Sequence, residues 1–376
     1  MRERAYRLLA QRLDALPNRF PATKSGVELR LLRKLFTLEE AALACVMSPV
    51  PEPAAGIASR AGVDPKEARN DLKKMAAKGL IDLKRGEGEF VFALKPFVVG
   101  FYETQLGRMD DEMAALFDQY FSESQGGILR DVPALHRVIP VGQAVPFHIE
   151  IHPYERANAL LEGALSWAVR DCICRVQQRL LGKGCERPVE TCLVFAPIEH
   201  AFDRSKVDRV ITKEEALQIL LVTEEAGLVH TAGNYRDGID YICNCCTCCC
   251  GIMRGIAEFG IMTAVAHSDF HMVVETDTCS GCGNCVERCQ FNALSTPDVV
   301  VVVDYNKCMG CGLCVVVCST DALHLERRPS GEISRPPANI SEWRSQRIAL
   351  RDIPAPVSAG VVAEDKKGEA ITYAKT

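Results

Sequence analysis

Residues 279–289 read C-S-G-C-G-N-C-V-E-R-C, and residues 308–318 read C-M-G-C-G-L-C-V-V-V-C. Each stretch has the spacing C-x2-C-x2-C-x3-C, in which three cysteines share a tight loop and a fourth follows a helical turn later. Three thiolates on such a loop can reach three irons of one cubic cluster, while the fourth points toward a second cluster. Four glycines let the backbone curl around the clusters: Gly281, Gly283, Gly310 and Gly312. The pattern therefore predicts two [4Fe–4S] clusters.

The crossed position of each fourth cysteine divides the eight thiolates into two ligand sets. The first cluster is expected on Cys279, Cys282, Cys285 and Cys318. The second cluster is expected on Cys308, Cys311, Cys314 and Cys289. Zinc sites also use pairs of nearby cysteines, but at other spacings, so two complete runs in tandem favour iron–sulfur clusters over zinc.

The segments around the cysteines repeat one order of predicted elements. Strands are predicted before and after each run: His271–Glu275, Ala293–Leu294, Val299–Asp304 and Ala322–Glu326. Two copies of strand, cysteine loop, short helix and strand form an internal repeat. On these motifs, residues 270–328 resemble the bacterial ferredoxins that carry two [4Fe–4S] clusters. The resemblance implies a ferredoxin-like fold and one-electron transfer.

The segment departs from the ferredoxin family at one motif position. A proline usually follows the fourth cysteine, whereas this chain has Gln290 in one run and Ser319 in the other. Either residue restores a backbone N–H donor near the cluster sulfurs, and hydrogen bonds to sulfur help to set the reduction potential. The potentials of the family are therefore not transferred to this protein.

Composition indicates a globular protein of 376 residues, with 48% hydrophobic and 25% charged residues. The net charge of −5 gives no overall attraction to nucleic acid or to an acidic membrane surface. The longest aliphatic run, Val299–Val303, is far too short to span a bilayer, so no membrane span is expected. Nineteen cysteines without a secretory signal indicate metal or redox chemistry in a reducing compartment. We therefore expect a cytoplasmic protein of an anaerobic host.

The amino-terminal region has the pattern of a helix-turn-helix followed by a β-hairpin. Helices are predicted over Ala54–Ala61 and Asp64–Ala77, with Asp64 as the N-cap and Pro65 at the first helical position. Two short strands around a turn at residues 84–88 would form a wing. The block resembles the winged-helix family over about seventy residues.

DNA binding and protein docking are both open for this block. DNA binding would place six basic residues on phosphates: Arg69, Lys73, Lys74, Lys78, Lys84 and Arg85. Residues 30–95 carry twelve basic and nine acidic residues, which is only a weak basic excess. Glu87 and Glu89 in the wing would face phosphate unfavourably. We therefore favour docking or homo-oligomer formation, with DNA binding as the alternative.

The central region carries ten further cysteines. A helix is predicted over Tyr154–Val169 from the spacing of its apolar residues. It leads into a C-x-C motif, after which cysteines recur up to residue 250. The ten candidate metal ligands are Cys172, Cys174, Cys185, Cys192, Cys243, Cys245, Cys246, Cys248, Cys249 and Cys250.

These cysteines predict a second metal-binding region. The upstream four form one candidate ligand set, C-x-C-x10-C-x6-C, with the C-x-C pair on one face of an extended segment. The downstream six lie within eight residues, and adjacent ones diverge too much for all six to bind one metal. We expect one or two further Fe–S clusters, with ligands from one block or shared between the upstream and downstream blocks, and with a zinc site or buried free thiols as alternatives. Arg175 is expected to donate hydrogen bonds to a bound cluster or to offset its charge.

Together these patterns predict an α+β protein of four parts. They are a winged-helix-like domain (1–100), a central α/β cysteine-rich domain (101–268), a two-cluster ferredoxin domain (269–328) and a Pro-rich extended tail (329–376). Within the tail, residues 340–350 are expected to be helical, with Trp343 packed back on the body. The whole chain looks like the multi-domain 4Fe–4S ferredoxin proteins of anaerobic bacteria, which implies electron transfer but no particular substrate.

The leading hypothesis is an electron-transfer subunit or partner of a larger oxidoreductase, rather than a free-standing enzyme. No catalytic acid–base residue is assigned, and no nucleotide-binding or hydrolytic motif is found. Two alternatives remain. One is a redox-sensing transcriptional regulator that uses the winged helix, and the other is a reductase with a catalytic cluster within residues 172–250.

Overall fold

The computed structural model describes residues 2–145, 151–351, 363–364 and 370–371. The chain divides into two compact units, of which one combines residues 1–128 with 348–376 and the other contains residues 129–347. Within the described ranges, no helix combines the length and the apolar character that a bilayer crossing requires. Most of the predicted extended tail after residue 351 lies outside the described residues.

The first unit combines helices with a three-stranded antiparallel sheet of order β1-β3-β2. Its helices are α1 (Arg2–Asp14), α2 (Val27–Leu35), α3 (Leu38–Ala44), α4 (Ala54–Ala61), α5 (Pro65–Ala77) and α6 (Asp111–Glu123). Its strands are β1 (Glu52–Pro53), β2 (Ile81–Arg85) and β3 (Phe90–Leu94). A further two-residue pair, Ala363–Glu364 with Ala370–Ile371, belongs to the same unit.

The local signals in this unit are read correctly from the sequence. Helix α4 ends at Gly62, whose φ of 65° is the left-handed conformation that favours glycine. The side chain of Asp64 accepts hydrogen bonds from the N–H groups of Lys66 and Glu67 and so begins α5. The predicted helix-turn-helix and hairpin are therefore present, while the winged-helix assignment itself stays a prediction.

The second unit is built on a seven-stranded sheet of order β10-β4-β8-β9-β6-β5-β7. Its strands are β4 (His136–Val138), β5 (Ser166–Asp171), β6 (Glu190–Ala196), β7 (Arg209–Ile211), β8 (Val229–Gly233), β9 (Tyr241–Cys245) and β10 (Val265–Ala266). Its helices are α7 (Ala157–Glu162), α8 (Ile173–Leu180), α9 (Lys213–Glu225) and α10 (Gly251–Phe259).

This sheet is antiparallel except where β10 pairs with β4. The expected α/β class is therefore wrong for the central region, which is α+β like the rest of the chain. Parallel pairing needs a long crossover between neighbouring strands, whereas β8 and β9 are joined by the short segment 234–240 and pair as a hairpin.

The predicted helix over Tyr154–Val169 is correct for Ala157–Glu162 and wrong for the residues that follow. Helix α7 ends at Glu162, and the chain then forms β5, in which Ser166, Ala168 and Val169 are buried. A short apolar run fits a helical and an extended periodicity equally well, and here pairing with β6 and β7 decides for the strand.

The ferredoxin-like segment follows β10 and has the predicted repeat. Its elements are β11 (Phe270–Val274), α11 (Asn284–Arg288), β12 (Leu294–Ser295), β13 (Val302–Val303), α12 (Leu313–Val316) and β14 (Leu323–Arg327). Strand β11 pairs antiparallel with β14, and β12 with β13. The chain then enters α13 (Ile340–Ala349), where Trp343 is buried and donates its indole N–H to the carbonyl of Ala134. The expected packing of Trp343 on the body is confirmed.

Buried charges tie this segment to the central sheet. Arg137 on β4 is almost fully buried and bonds Glu155 at 3.2 Å and Asp269 at 3.4 Å. Glu155 also accepts a hydrogen bond from the backbone N–H of Asp269. Because a buried charge is costly unless it is paired, this network fixes the start of β11 relative to the sheet.

Candidate metal centres

The second ferredoxin set lines one cavity. Cys289, Cys308, Cys311 and Cys314 line one partly open pocket. The rest of the lining is glycine and apolar residues, including Met272 and Leu325. Four thiols around an apolar space of this kind fit an iron–sulfur cube, and they are the four cysteines that the spacing groups together.

The cysteine loops approach other backbone too closely for a side chain. At Gly310 an added Cβ atom would lie 2.1 Å from the carbonyl oxygen of Phe270, and the φ of 66° is left-handed. At Gly281 it would lie 2.0 Å from the carbonyl oxygen of Val299, again with a φ of 66°. Glycine is required at both positions, as the cluster-cradling loop predicts.

Burial favours the protonated form of two thiols in the second set. It raises the pKa of Cys311 to about 12 and raises the pKa of Cys314 well above its ordinary value. Such thiols stay protonated at neutral pH unless a metal ion takes the place of the proton. A metal bound here must therefore displace the protons of Cys311 and Cys314.

The first ferredoxin set lies nearer the surface. Cys282 is exposed and Cys285 is buried, whereas Cys279 and Cys318 are intermediate. The Cys318 thiol lies 3.7 Å from the hydroxyl of Thr320. The grouping of these four on one cluster stays a prediction.

The Gln290 side chain has a role that the sequence does not reveal. Its amide nitrogen donates to the carbonyl of Gly227 at 3.0 Å, and its oxygen accepts from the Thr247 N–H at 3.2 Å and from the Thr247 hydroxyl at 3.1 Å. Thr247 lies between Cys246 and Cys248 of the central cysteine loop. The residue that replaces the family's proline therefore joins the ferredoxin segment to the second cysteine region.

Four of the ten central cysteines form a tight group, here called the compact site: Cys185, Cys246, Cys248 and Cys249. Their sulfur atoms all lie within 4.8 Å of one another. Cys246 and Cys249 are buried against Leu228, while Cys248 is exposed. Three of the four come from the loop after β9, and Cys185 comes from the loop after α8.

The other six form a wider group, here called the six-thiol group: Cys172, Cys174, Cys192, Cys243, Cys245 and Cys250. The Cys192 and Cys243 sulfur atoms, on neighbouring strands, lie 3.9 Å apart. Thiol–thiol interactions then connect the members in the order 192, 243, 245, 250, 174 and 172. All ten central cysteines are thus brought together in two adjoining groups.

Two expectations about these cysteines need correction. The set Cys172, Cys174, Cys185 and Cys192 is divided, because Cys185 belongs to the compact site. The C-x-C pair is not on an extended segment, since Cys172 is the N-cap of α8 and Cys174 lies in its first turn. The six downstream cysteines divide between the two groups, as expected, although the adjacent Cys248 and Cys249 both belong to the compact site. Of each neighbouring pair, 245–246 and 249–250, one thiol joins each group.

Two arginines reach the sulfur atoms of the compact site. Arg175 is fully buried and donates from Nη1 to the Cys246 sulfur at 3.8 Å, while its expected role beside a cluster stays a prediction. The Arg187 Nη1 donates to the Cys248 sulfur at 3.7 Å. The role of Arg187 was missed, because the sequence shows only that it lies near Cys185.

Hydrogen bonding prepares one thiol of each group for deprotonation. Hydrogen bonds from Cys248 and Cys249, with the nearby charge of Arg175, lower the pKa of Cys246 far below its ordinary value. Hydrogen bonds with Cys243 and Cys250 lower the pKa of Cys245 to about 6. The thiolate is the form that binds metals, so both groups contain a ready ligand.

The comparisons with known proteins agree with the carboxyl-terminal geometry. The model of the 4Fe–4S binding domain matches the chain twice, over residues 272–295 and 301–324. No curated protein and no solved structure matches the chain. The paired matches, the repeat and the cysteine-lined cavity together identify residues 272–324 as a ferredoxin domain with two 4Fe–4S motifs.

Proposed function

We propose that this protein relays single electrons for a larger oxidoreductase, through the two ferredoxin clusters and a third cluster in the six-thiol group. The ferredoxin domain accounts for iron–sulfur electron transfer. The observation that supports the longer relay is the contact of Gln290 with Thr247, since Gln290 follows Cys289 of the second set and Thr247 lies in the central cysteine loop. The two cysteine regions are thus direct neighbours.

The six-thiol group has the ligand chemistry for a third cluster. A cube needs one thiolate for each of its four irons, and six thiols exceed that number. Consecutive members of the group contact one another, but no three of their sulfur atoms gather as closely as those of the compact site. When bound, the cluster supplies one-electron redox chemistry. The chain supplies thiolates and a buried setting, for which no acid–base residue is needed.

Electron exchange with partners is proposed at the first ferredoxin set. Cys282 is exposed there, whereas Cys308 and Cys314 of the second set are buried. Val299, whose carbonyl backs the loop at Gly281, is 74% exposed and offers an apolar contact. A redox partner docked on this face would approach the first cluster, with the second cluster behind it.

The helix-turn-helix and hairpin are proposed as a docking or homo-oligomer module rather than a DNA reader. Lys78 is paired with Glu40 at 2.7 Å and Lys74 with Asp71 at 2.8 Å, so two of the six candidate phosphate contacts are engaged within the protein. A gel shift at low salt tests this choice, because nonspecific DNA binding appears there first. A shift of every duplex at low salt would restore DNA binding.

The relay is tested on anaerobically purified full-length protein by its iron and acid-labile sulfide. Two ferredoxin clusters and a third give about twelve sulfides per chain. A variant in which Cys172, Cys174 and Cys250 are all replaced by Ser keeps only three of the six thiols and should lower that number to about eight. Cys45→Ser is the matched control, because Cys45 lies alone in the first unit with its thiol bonded to the carbonyl of Ala42. About eight sulfides in the wild type would rule out the third cluster, and the absence of sulfide would rule out the whole relay.

A further inference from the structure

The sulfur atoms of the compact site have the spacing of ligands around one ion. Cys248 and Cys249 sulfurs lie 3.7 Å apart, and those of Cys249 and Cys185 lie 3.8 Å apart. A tetrahedral ion with metal–sulfur bonds of about 2.3 Å places its sulfur ligands about 3.8 Å from one another. The observed spacing therefore matches a single tetrahedral centre.

The ferredoxin cysteines provide an internal standard for the cube. In a cube each thiolate binds its own iron at a separate corner, so the sulfurs stand farther apart than around one ion. Over the described residues, which include every cysteine, only the compact site gathers three or more such ligands within 4.8 Å. The ferredoxin thiols, whose nuclearity is established by their motif, do not approach one another in this way.

We propose that Cys185, Cys246, Cys248 and Cys249 bind one tetrahedral divalent metal ion, Zn²⁺ or mononuclear Fe²⁺, and not a cluster. The site is independent of the proposed third cluster, because none of its ligands belongs to the six-thiol group. Four protein thiolates leave no open coordination position, which is typical of a structural rather than a catalytic ion.

The surrounding charges suit this assignment. Four thiolates around a divalent ion carry a net charge of −2, and two guanidinium groups contact the site. Arg175 approaches the Cys246 sulfur and Arg187 approaches the Cys248 sulfur, at 3.8 and 3.7 Å. Such outer hydrogen bonds hold thiolate ligands in place and offset their charge.

The position of the proposed ion indicates a structural role. Cys185 follows α8, the other three ligands follow β9, and Gln290 of the ferredoxin domain holds Thr247 between two of them. One ion there would fasten two separate loops of the central region at the point where the ferredoxin domain contacts them. It would thereby keep the second ferredoxin set and the six-thiol group in fixed relation.

The test measures zinc, iron and sulfide per chain in full-length protein prepared without oxygen and washed with chelator. Cys248→Ser is expected to lose about one metal ion with no loss of sulfide. Cys45→Ser, the matched control, should keep every metal. A loss of about four irons and four sulfides from Cys248→Ser would show a cube and overturn the proposal. No loss of any metal would overturn it equally.

X-ray absorption of the wild-type protein provides a measurement that does not depend on the variant folding. Zinc in the compact site should show about four sulfur neighbours at about 2.3 Å and no second metal nearby. If the ion is iron, Mössbauer spectra should contain one mononuclear tetrathiolate component beside the clusters. Absence of both signals would reject the single-ion site, while a sulfide content that stays at eight or more would leave the ferredoxin relay standing.

Discussion

The ferredoxin loops and the compact site use the same ligand atom in opposite ways. In the ferredoxin loops two residues separate successive cysteines, and left-handed glycines such as Gly310 turn the backbone so that the thiols spread. In the central loop the cysteines are adjacent or one residue apart, and a distant one, Cys185, completes the group. The difference teaches that the backbone between cysteines, more than their number, decides how many metal ions they hold.

The two regions also differ in how far their ligands are separated along the chain. Each ferredoxin run supplies three ligands from one loop, so its spacing already indicates the chemistry. The compact site takes Cys185 from 64 residues before Cys249. Its ligand set therefore depends on the packing of the loops after α8 and β9.

The largest expected effect is the loss of a whole ferredoxin cluster. Cys311→Ala should remove about four irons and four sulfides, because the cavity then has three thiols for four irons. Iron and sulfide analysis with low-temperature EPR of the reduced protein checks this. Retention of every iron would contradict the assignment of Cys311. Loss of zinc as well would show that the compact site depends on the ferredoxin cluster, contrary to the proposal.

Glycine substitutions test the cradle directly. Gly310→Ala should lower the free energy of unfolding by roughly 2–4 kcal/mol, since its Cβ would overlap the Phe270 carbonyl at a left-handed φ. Gly251→Ala, immediately after the central cysteine loop, has nothing within 4 Å of the added Cβ and should change it by less than about 0.5 kcal/mol. Anaerobic denaturant titrations measure both. Equal effects would remove the proposed difference between the two loops.

Removal of an outer contact should weaken the compact site alone. Arg187→Met should speed loss of its ion to a chelator about 10- to 100-fold, because the Cys248 sulfur loses its guanidinium donor. Arg209→Met, which breaks an exposed pair with Glu190, is the control and should leave the release rate unchanged. Loss of sulfide in the Arg187 variant would point to a cluster instead.

The contact between the two regions should contribute less. Gln290→Leu removes hydrogen bonds to Gly227 and Thr247, which should lower the free energy of unfolding by about 1–2 kcal/mol. Ser319→Ala, at the same motif position of the other run, lies on the exposed side and should have little effect. Thermal unfolding under anaerobic conditions distinguishes them. Equal melting temperatures for the two variants would mean that Gln290 does not join the ferredoxin segment to the central cysteine loop.

The smallest predicted effect is the pH dependence of the free energy of unfolding that comes from His136 in the central sheet. Burial lowers the pKa of His136 to about 4, from an ordinary value of 6.5. Above pH 6.5 the imidazole is neutral in both the folded and the unfolded chain. Between pH 6.5 and 4 only the unfolded chain binds the proton, so the free energy of unfolding should fall by about 1 kcal/mol between pH 7 and 5.5. His136→Gln should remove that part of the pH dependence in melting experiments. An unchanged slope would show that His136 does not titrate in this range.

Much of the architecture could be predicted because its signals are local. Asp64, Pro65 and Gly62 bound their helices through contacts with near neighbours. Strand β5 was missed because its identity depends on pairing with β6 and β7, which a single segment does not encode.

In the candidate site, too, the features with local sequence signals could be predicted and those that depend on tertiary packing could not. The second ferredoxin set could be grouped from its spacing, and it lines one cavity. The membership of Cys185 and the contact of Arg187 depend on tertiary packing, so no spacing rule reveals them. The role of Gln290 was signalled only by the absence of the family's proline.

The alternation of neighbouring cysteines has a consequence for maturation. Cys245 and Cys246, and again Cys249 and Cys250, point to different groups across a single peptide bond. Whichever centre is filled first immobilises the loop and removes most of the entropic cost of ordering the other. Each centre keeps its own complete set of ligands, so the second centre to be filled should form faster without depending on the first.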